Sequence, residues 1–136
     1  MSPIARFSAT SSAILGLLFI ILETARRGID AWGTTSVTIL EDYIAGILLV
    51  TAAVALIRSA RISWPLMLAA SAYATGMMTS SLWGQVEAQL RGETWETQQS
   101  IVIAVKAFLW LLPLILSVFS LRELRRGFHG EPHSGS

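Results

Sequence analysis

Four long stretches with one charge or none decide the solvent this chain folds in. Phe7 to Leu22 (FSATSSAILGLLFIIL) spans 16 residues without a charge and can continue helically through Glu23 to Arg26. Tyr43 to Ile57 (YIAGILLVTAAVALI) spans 15, and reaches full length when Glu41 and Asp42 are counted. Ile62 to Val86 spans 25, and the stretch from about Thr97 to Leu121 carries one charge, Lys106. A helix crossing a hydrocarbon core of roughly 30 Å needs about 20 mainly apolar residues. Long runs without strand alternation favour helices over a barrel, and a helix satisfies its backbone internally in lipid. The sequence therefore predicts an all-α integral membrane protein. It is read as a bundle of four transmembrane helices over about 7–26, 39–57, 63–90 and 97–121.

Composition agrees. Charged residues make up 14% of the 136, against about a quarter in soluble domains. Hydrophobic residues make up 53%, more than a soluble fold of this size can hide. Residues 1–126 are read as one membrane domain and 127–136 (GFHGEPHSGS) as a disordered cytoplasmic tail. The absence of cysteine removes disulfides, thiolate metal sites and Cys nucleophiles. A net charge of +1 gives no support for a nucleic-acid partner. The expected partner is the lipid bilayer.

Orientation follows from the bases. Arg6, Arg58, Arg61, Arg122, Arg125 and Arg126 fall in the amino tail, the second loop and the carboxyl tail, which an even number of spans puts on one side. Arg26, Arg27 and Arg91 fall on the other. That side also holds Glu23, Asp30, Glu41, Asp42, Glu87, Glu93 and Glu96, giving it a formal charge of 3 − 7 = −4. Both termini are thus expected in the cytoplasm of a bacterial-type cell, with acidic loops on the periplasmic side of the inner membrane. A cleaved leader is the alternative for the first run, but no small-x-small site follows Leu22.

Local signals punctuate the helices. The first outer loop has room for an interfacial turn around Ile29 and Trp32, between Gly28 and Gly33. Thr38 and Glu41 match a capping box ahead of the second run. Ser63 suits an N-cap, with Pro65 in the first turn. Gly92 suits a stop after Leu90, and Pro113 is expected to kink the fourth helix. His129 and His133 share a four-residue spacing that Pro132 spoils for a helix, so no metal is expected there.

Helix packing in lipid is marked by small residues. Ala72, Gly76, Ser80 and Gly84 recur at every fourth position of the third run. They suit either packing inside the bundle or the seam of a homodimer. Projection at 100° per residue gathers polar groups on one face of each helix. Ser8, Ser12, Gly16, Phe19 and Glu23 align on the first, and Glu41, Ala45, Leu48, Ala52 and Ala55 on the second. Tyr73, Gly76, Ser80, Gly84 and Glu87 align on the third, and Gln99, Ile103, Lys106, Trp110, Pro113 and Ser117 on the fourth. All four faces are expected to turn inward.

Lys106 is the exception to the charge pattern. It lies roughly 10–14 Å below the outer end of the fourth helix. A charge within the hydrocarbon costs about 3 kcal/mol or more and usually finds a partner. The expected partners are Glu23 and Glu41, with Trp110 as pocket wall and Asp42 and Glu87 nearby. The bland readings stand beside this one. Lys106 can snorkel to headgroups, Glu41 can serve its capping box, Glu23 can pair with Arg26 or Arg27, and Asp42 can face water. Trp32, Tyr43, Trp83 and Trp95 suit an outer aromatic belt and Trp64 an inner one.

No HExxH, GxSxG, GxGxxG or P-loop pattern occurs, and no span contains histidine, so no cofactor or metal is expected. The leading functional expectation is binding or passage of a small ligand, cationic or lipid-like, through a polar interhelical site open to the outer face. An accessory subunit of a larger membrane complex comes second, and a membrane-embedded enzyme last.

Overall fold

The computed structural model describes residues 1–27, 36–93 and 99–129, which form four α-helices. They are α1 (Pro3–Arg27), α2 (Ser36–Ile57), α3 (Ser63–Leu90) and α4 (Gln99–His129). The outer-loop turn around Ile29 and Trp32, Trp95, and His133 lie outside the described residues.

Each helix end has a local cause. Ser2 Oγ accepts the N–H of Ala5 at 3.1 Å, and Pro3 takes the first helical position, where its missing N–H is no loss. The first helix therefore begins at Pro3 rather than at Phe7. α2 is described from Ser36, so Thr38 lies within the helix rather than at the cap position expected for it. α2 closes in a Schellman motif. Ser59 N–H donates to the Leu56 carbonyl at 3.1 Å and Ala60 N–H to the Ala55 carbonyl at 3.0 Å. Ser63 N–H then bonds the Ala60 carbonyl at 3.0 Å, so the turn itself launches α3. Ser63 is the first helical residue and Ile62 the cap position, without a side-chain bond. α3 ends in the same motif, with Gly92 N–H on the Gln89 carbonyl and Glu93 N–H on the Ala88 carbonyl.

The two motifs differ at the left-handed residue. Gly92 sits at φ 76° without strain, whereas Ser59 sits at φ 51°. A left-handed L-residue costs about 1–2 kcal/mol, and glycine returns part of that through its freer unfolded state. Ser59→Gly should stabilise the protein by about 1 kcal/mol. Thermal unfolding in mild detergent checks this, and an unchanged or lower Tm would contradict it.

α4 passes through Pro113 and runs on to His129. Gly127 and Phe128, expected in a disordered tail, are thus helical. Arg126 Nη1 donates to Glu123 Oε1 at 2.9 Å, and the bases here suit the negative end of the helix dipole.

The helices pack as a ring in chain order, α1 on α2, α2 on α3 and α3 on α4. Of the neighbouring pairs, α1 and α4 touch least. Leu15, Leu49, Met67, Pro113 and Leu116 are fully buried at the centre. α1 and α2 come closest at two glycines. A Cβ on either Gly16 or Gly46 would lie 2.7 Å from the carbonyl oxygen of the other. One turn away, Ser12 Oγ donates to the Leu49 carbonyl at 2.8 Å. On the other side of the ring, Ser117 Oγ donates to Ser71 Oγ at 2.9 Å and Trp110 Nε1 to Thr79 Oγ1 at 3.0 Å. Close glycines and interhelical hydroxyl bonds are the contacts that hold helices together where lipid removes the hydrophobic drive.

Among the described residues, three helical segments are long and apolar enough to cross a membrane: Pro3–Ala25, Ile39–Ile57 and Ser100–Phe128. Their outward faces carry large apolar side chains, including Ile14, Ile21, Ile47, Phe108 and Val118. α3 is long enough and uncharged from Ile62 to Val86, yet it is not apolar enough to join them. Thr75, Thr79, Ser80, Ser81 and Gln85 dilute it.

The inward faces follow the sequence on α1, and on α4 Pro113 is buried and Ile103, Lys106, Trp110 and Ser117 are half-buried; α2 and α3 depart from it. Ser8, Ser12, Phe19 and Glu23 are all buried. On α2 the inward row is Asp42, Ala45, Leu49, Ala52 and Leu56, one residue round from the expected row through Glu41. On α3 it is Met67, Ser71, Ala74, Met78, Leu82 and Gln85. Tyr73, Gly76, Ser80 and Glu87, expected inside, are exposed.

Candidate functional site

At the end of the ring where α1 finishes and α2 begins, all four helices line one cavity of about 260 Å³. α1 contributes Phe19, Leu22 and Glu23, and α2 contributes Asp42. Met78 and Ser81 come from α3, and Ile101, Val102, Val105, Lys106 and Leu109 from α4. Each position follows from helical spacing. Phe19 and Glu23 are one turn apart on the inward row of α1. Asp42 heads the inward row of α2. Val102, Lys106 and Leu109 repeat at four and three residues on α4.

The chemistry is a charged cluster in an apolar frame. Glu23 is 7% exposed, while Asp42 and Lys106 are partly buried. With both carboxylates ionised and the amine protonated, the formal charge is −1 − 1 + 1 = −1. Above Glu23, Thr24 Oγ1 and Tyr43 OH share a hydrogen bond that ties α1 to α2 at the rim. The cluster sets two carboxylates and one ammonium group between hydrocarbon walls. Among the described residues no group of three or more His, Asp or Glu side chains comes together to hold a metal ion.

The structure brings together some of the residues singled out in the sequence and separates others. Glu23 and Lys106 share the cavity. Glu41, expected beside Lys106, is exposed in a separate shallow groove with Ala72, Tyr73, Gly76, Met77 and Ser80. Asp42, whose plain reading was a carboxylate facing water, takes the place expected for Glu41. Glu87 is exposed and forms an ion pair with Arg91, one turn on. Trp110 is not in the cavity lining. Its ring meets Trp83 edge to face at 6.3 Å, and its N–H is committed to Thr79. Ala72, Gly76 and Ser80 are exposed and Gly84 half-buried, so this row does not pack the bundle interior. A Cβ on Gly76 would meet nothing within 4 Å.

The sequence reading missed the Gly16–Gly46 approach, and it set Asp42 beside the cluster with Glu41 as the partner of Lys106. For Asp42 the signal was present. Asp42, Ala45, Leu49, Ala52 and Leu56 repeat at three and four residues, as one face of a helix requires.

Fold and site together define a class: an all-helical protein with helices apolar enough to cross a membrane and a mixed-charge cavity at one end of the ring. No family model, curated protein or solved structure matches the chain, so the residues alone carry the functional argument.

Proposed function

We propose that the chain is a four-span inner-membrane protein that binds, and in binding can pass, a small amine-bearing or otherwise cationic ligand at this cavity. The observation that carries the reading is the convergence of Glu23, Asp42 and Lys106 from three helices on one cavity with apolar walls. Charged groups at membrane depth usually mark ligand or ion pathways. Two carboxylates against one ammonium give the described lining a net negative formal charge, which favours a cation. Lys106 acts as counter-charge, holding two acids in a small volume against their mutual repulsion. α3 crosses the membrane as the fourth span, its polar inward row shielded by α2 and α4. The positive-inside rule puts the cavity end outside and both termini in the cytoplasm.

Benzylammonium is a suitable probe, with benzyl alcohol as its uncharged counterpart. Calorimetric titration of the purified protein should show the amine binding at least about tenfold tighter, the worth of one charge-assisted hydrogen bond. Glu23→Gln and Asp42→Asn should each remove most of that preference. Equal binding of amine and alcohol would contradict the proposal.

A second reading is favoured by the exposed row Ala72, Gly76 and Ser80. A membrane helix with small and polar residues facing outward suits close packing against another protein helix. On this reading the chain is a homodimer or an accessory subunit of a larger membrane complex. Gly76→Leu should then dissociate the assembly in native mass spectrometry while leaving monomer stability unchanged, since the side chain has open space.

A further inference from the structure

The cavity has a mouth, and its position says from where a ligand arrives. Residues that both line a cavity and are exposed mark its opening. Here these are Leu22 at 42%, Ile101 at 58% and Val105 at 45% exposure. All three are apolar, and they belong to α1 and α4 alone. The α2 and α3 walls are closed by comparison: Met78 is buried, and Asp42 and Ser81 are partly buried. Among the described residues the opening therefore lies in the seam between α1 and α4, the loosest of the ring. The same seam is shut at its other end, where Phe7 and Phe119 meet edge to face at 5.9 Å. Val105 lies about 9 Å along α4 from Gln99, so in a membrane-spanning helix the mouth faces acyl chains rather than water.

The size of the cavity limits what it encloses. Pockets that surround a whole drug-sized ligand hold about 300–1,000 Å³. At about 260 Å³ this one takes a headgroup and leaves a long tail outside. A tail leaving through Leu22, Ile101 and Val105 would stay in hydrocarbon, while the head meets Glu23 and Asp42.

We infer that the ligand of this site is an amphiphile with an amine head and a hydrocarbon tail, entering sideways from the outer leaflet through the α1–α4 seam. The inference rests on the charged-cavity reading above and adds route and ligand class to it. The shared chemistry is an alkylammonium, whether from a free long-chain amine or from an aminophospholipid headgroup.

The test compares dodecylammonium with benzylammonium on the full-length protein in phosphatidylcholine nanodiscs, with empty discs subtracted. Dodecylammonium should bind at least about tenfold tighter than benzylammonium. Dodecanol, with the same tail and no charge, should bind at least about tenfold more weakly than dodecylammonium. Val105→Trp and Ile101→Trp place a bulky ring at the lipid-facing mouth without touching the core. Either should bring the ratio of dodecylammonium to benzylammonium affinity close to one. If benzylammonium binds through Glu23 but the wild-type ratio is already near one, or both tryptophan variants leave it high, lateral entry of a tailed ligand is overturned and the charged-cavity reading stands. If no amine is preferred over its alcohol, both fall. Adding phosphatidylethanolamine to the discs separates the two sources: competition with dodecylammonium identifies a lipid headgroup as the occupant, and no competition identifies a free amine.

Discussion

Gly46→Leu is expected to destabilise the protein by about 3 kcal/mol, at the upper end of the range for overpacking a close-packed site. A Cβ at Gly46 would lie 2.7 Å from both the Gly16 carbonyl oxygen and Ile20 Cγ1. The first of these is backbone, so relief requires α1 and α2 to move apart. That movement would also stretch the bond from Ser12 Oγ to the Leu49 carbonyl, now 2.8 Å. Gly16→Leu should behave alike, because its Cβ would meet the Gly46 carbonyl oxygen at 2.7 Å and Val50 Cγ2 at 2.9 Å. Gly76→Leu is the internal control, with the same chemical change at a position that has nothing within 4 Å. Thermal unfolding in mild detergent reads all three. Equal Tm values for Gly46→Leu and Gly76→Leu would mean that the glycine contact does not hold α1 to α2.

Lys106→Met removes the one base from a cavity that holds two acids. Removing one partner of a fully buried ion pair costs about 3–5 kcal/mol, because the other charge is left uncompensated. Lys106 is only partly buried, so about 2–3 kcal/mol is expected here. Methionine keeps the length and the apolar stem, so the loss reports charge rather than volume. Glu23→Gln in the Lys106→Met background should recover part of it, since one carboxylate then has no like charge beside it. That non-additivity is the signature of coupled groups. Additive effects, or a Tm unchanged by Lys106→Met, would fit a lysine that only snorkels to headgroups.

The sequence shows the helices more clearly than it shows their rotation. Four uncharged or nearly uncharged runs predict four helices, and Gly92 predicts the end of α3, because hydrocarbon thickness and left-handed glycine act locally. Rotation depends on competition between faces. On α1 one face is small and polar and the opposite face carries Ile14, Leu17 and Ile21, so the choice is unambiguous. α3 has two rows of small or polar residues, one through Ala72, Gly76 and Ser80 and one through Ser71, Ala74 and Gln85. Only neighbouring helices decide between them. On α2 the apparent capping box drew attention to Glu41. The close fit at the Gly16–Gly46 contact instead turns Asp42 inward. The cavity was therefore half legible: Lys106 and Glu23 stand out as charges in apolar runs, whereas Asp42 depends on how α2 is seated against α1.

A site open to the outer leaflet requires that α3 cross the membrane with the cavity end outside. The chain has no cysteine, so single introduced thiols can be placed on a clean background. Ala60, before α3, and Glu93, after it, are suitable sites, and Glu93 is exposed without the left-handed backbone of Gly92. With a membrane-impermeant maleimide on intact bacterial cells expressing the chain, Glu93→Cys should label directly and Ala60→Cys only after permeabilisation. Labelling of both from the same side would show that α3 does not span, and labelling of Ala60→Cys alone from outside would put the charged cavity on the cytoplasmic face.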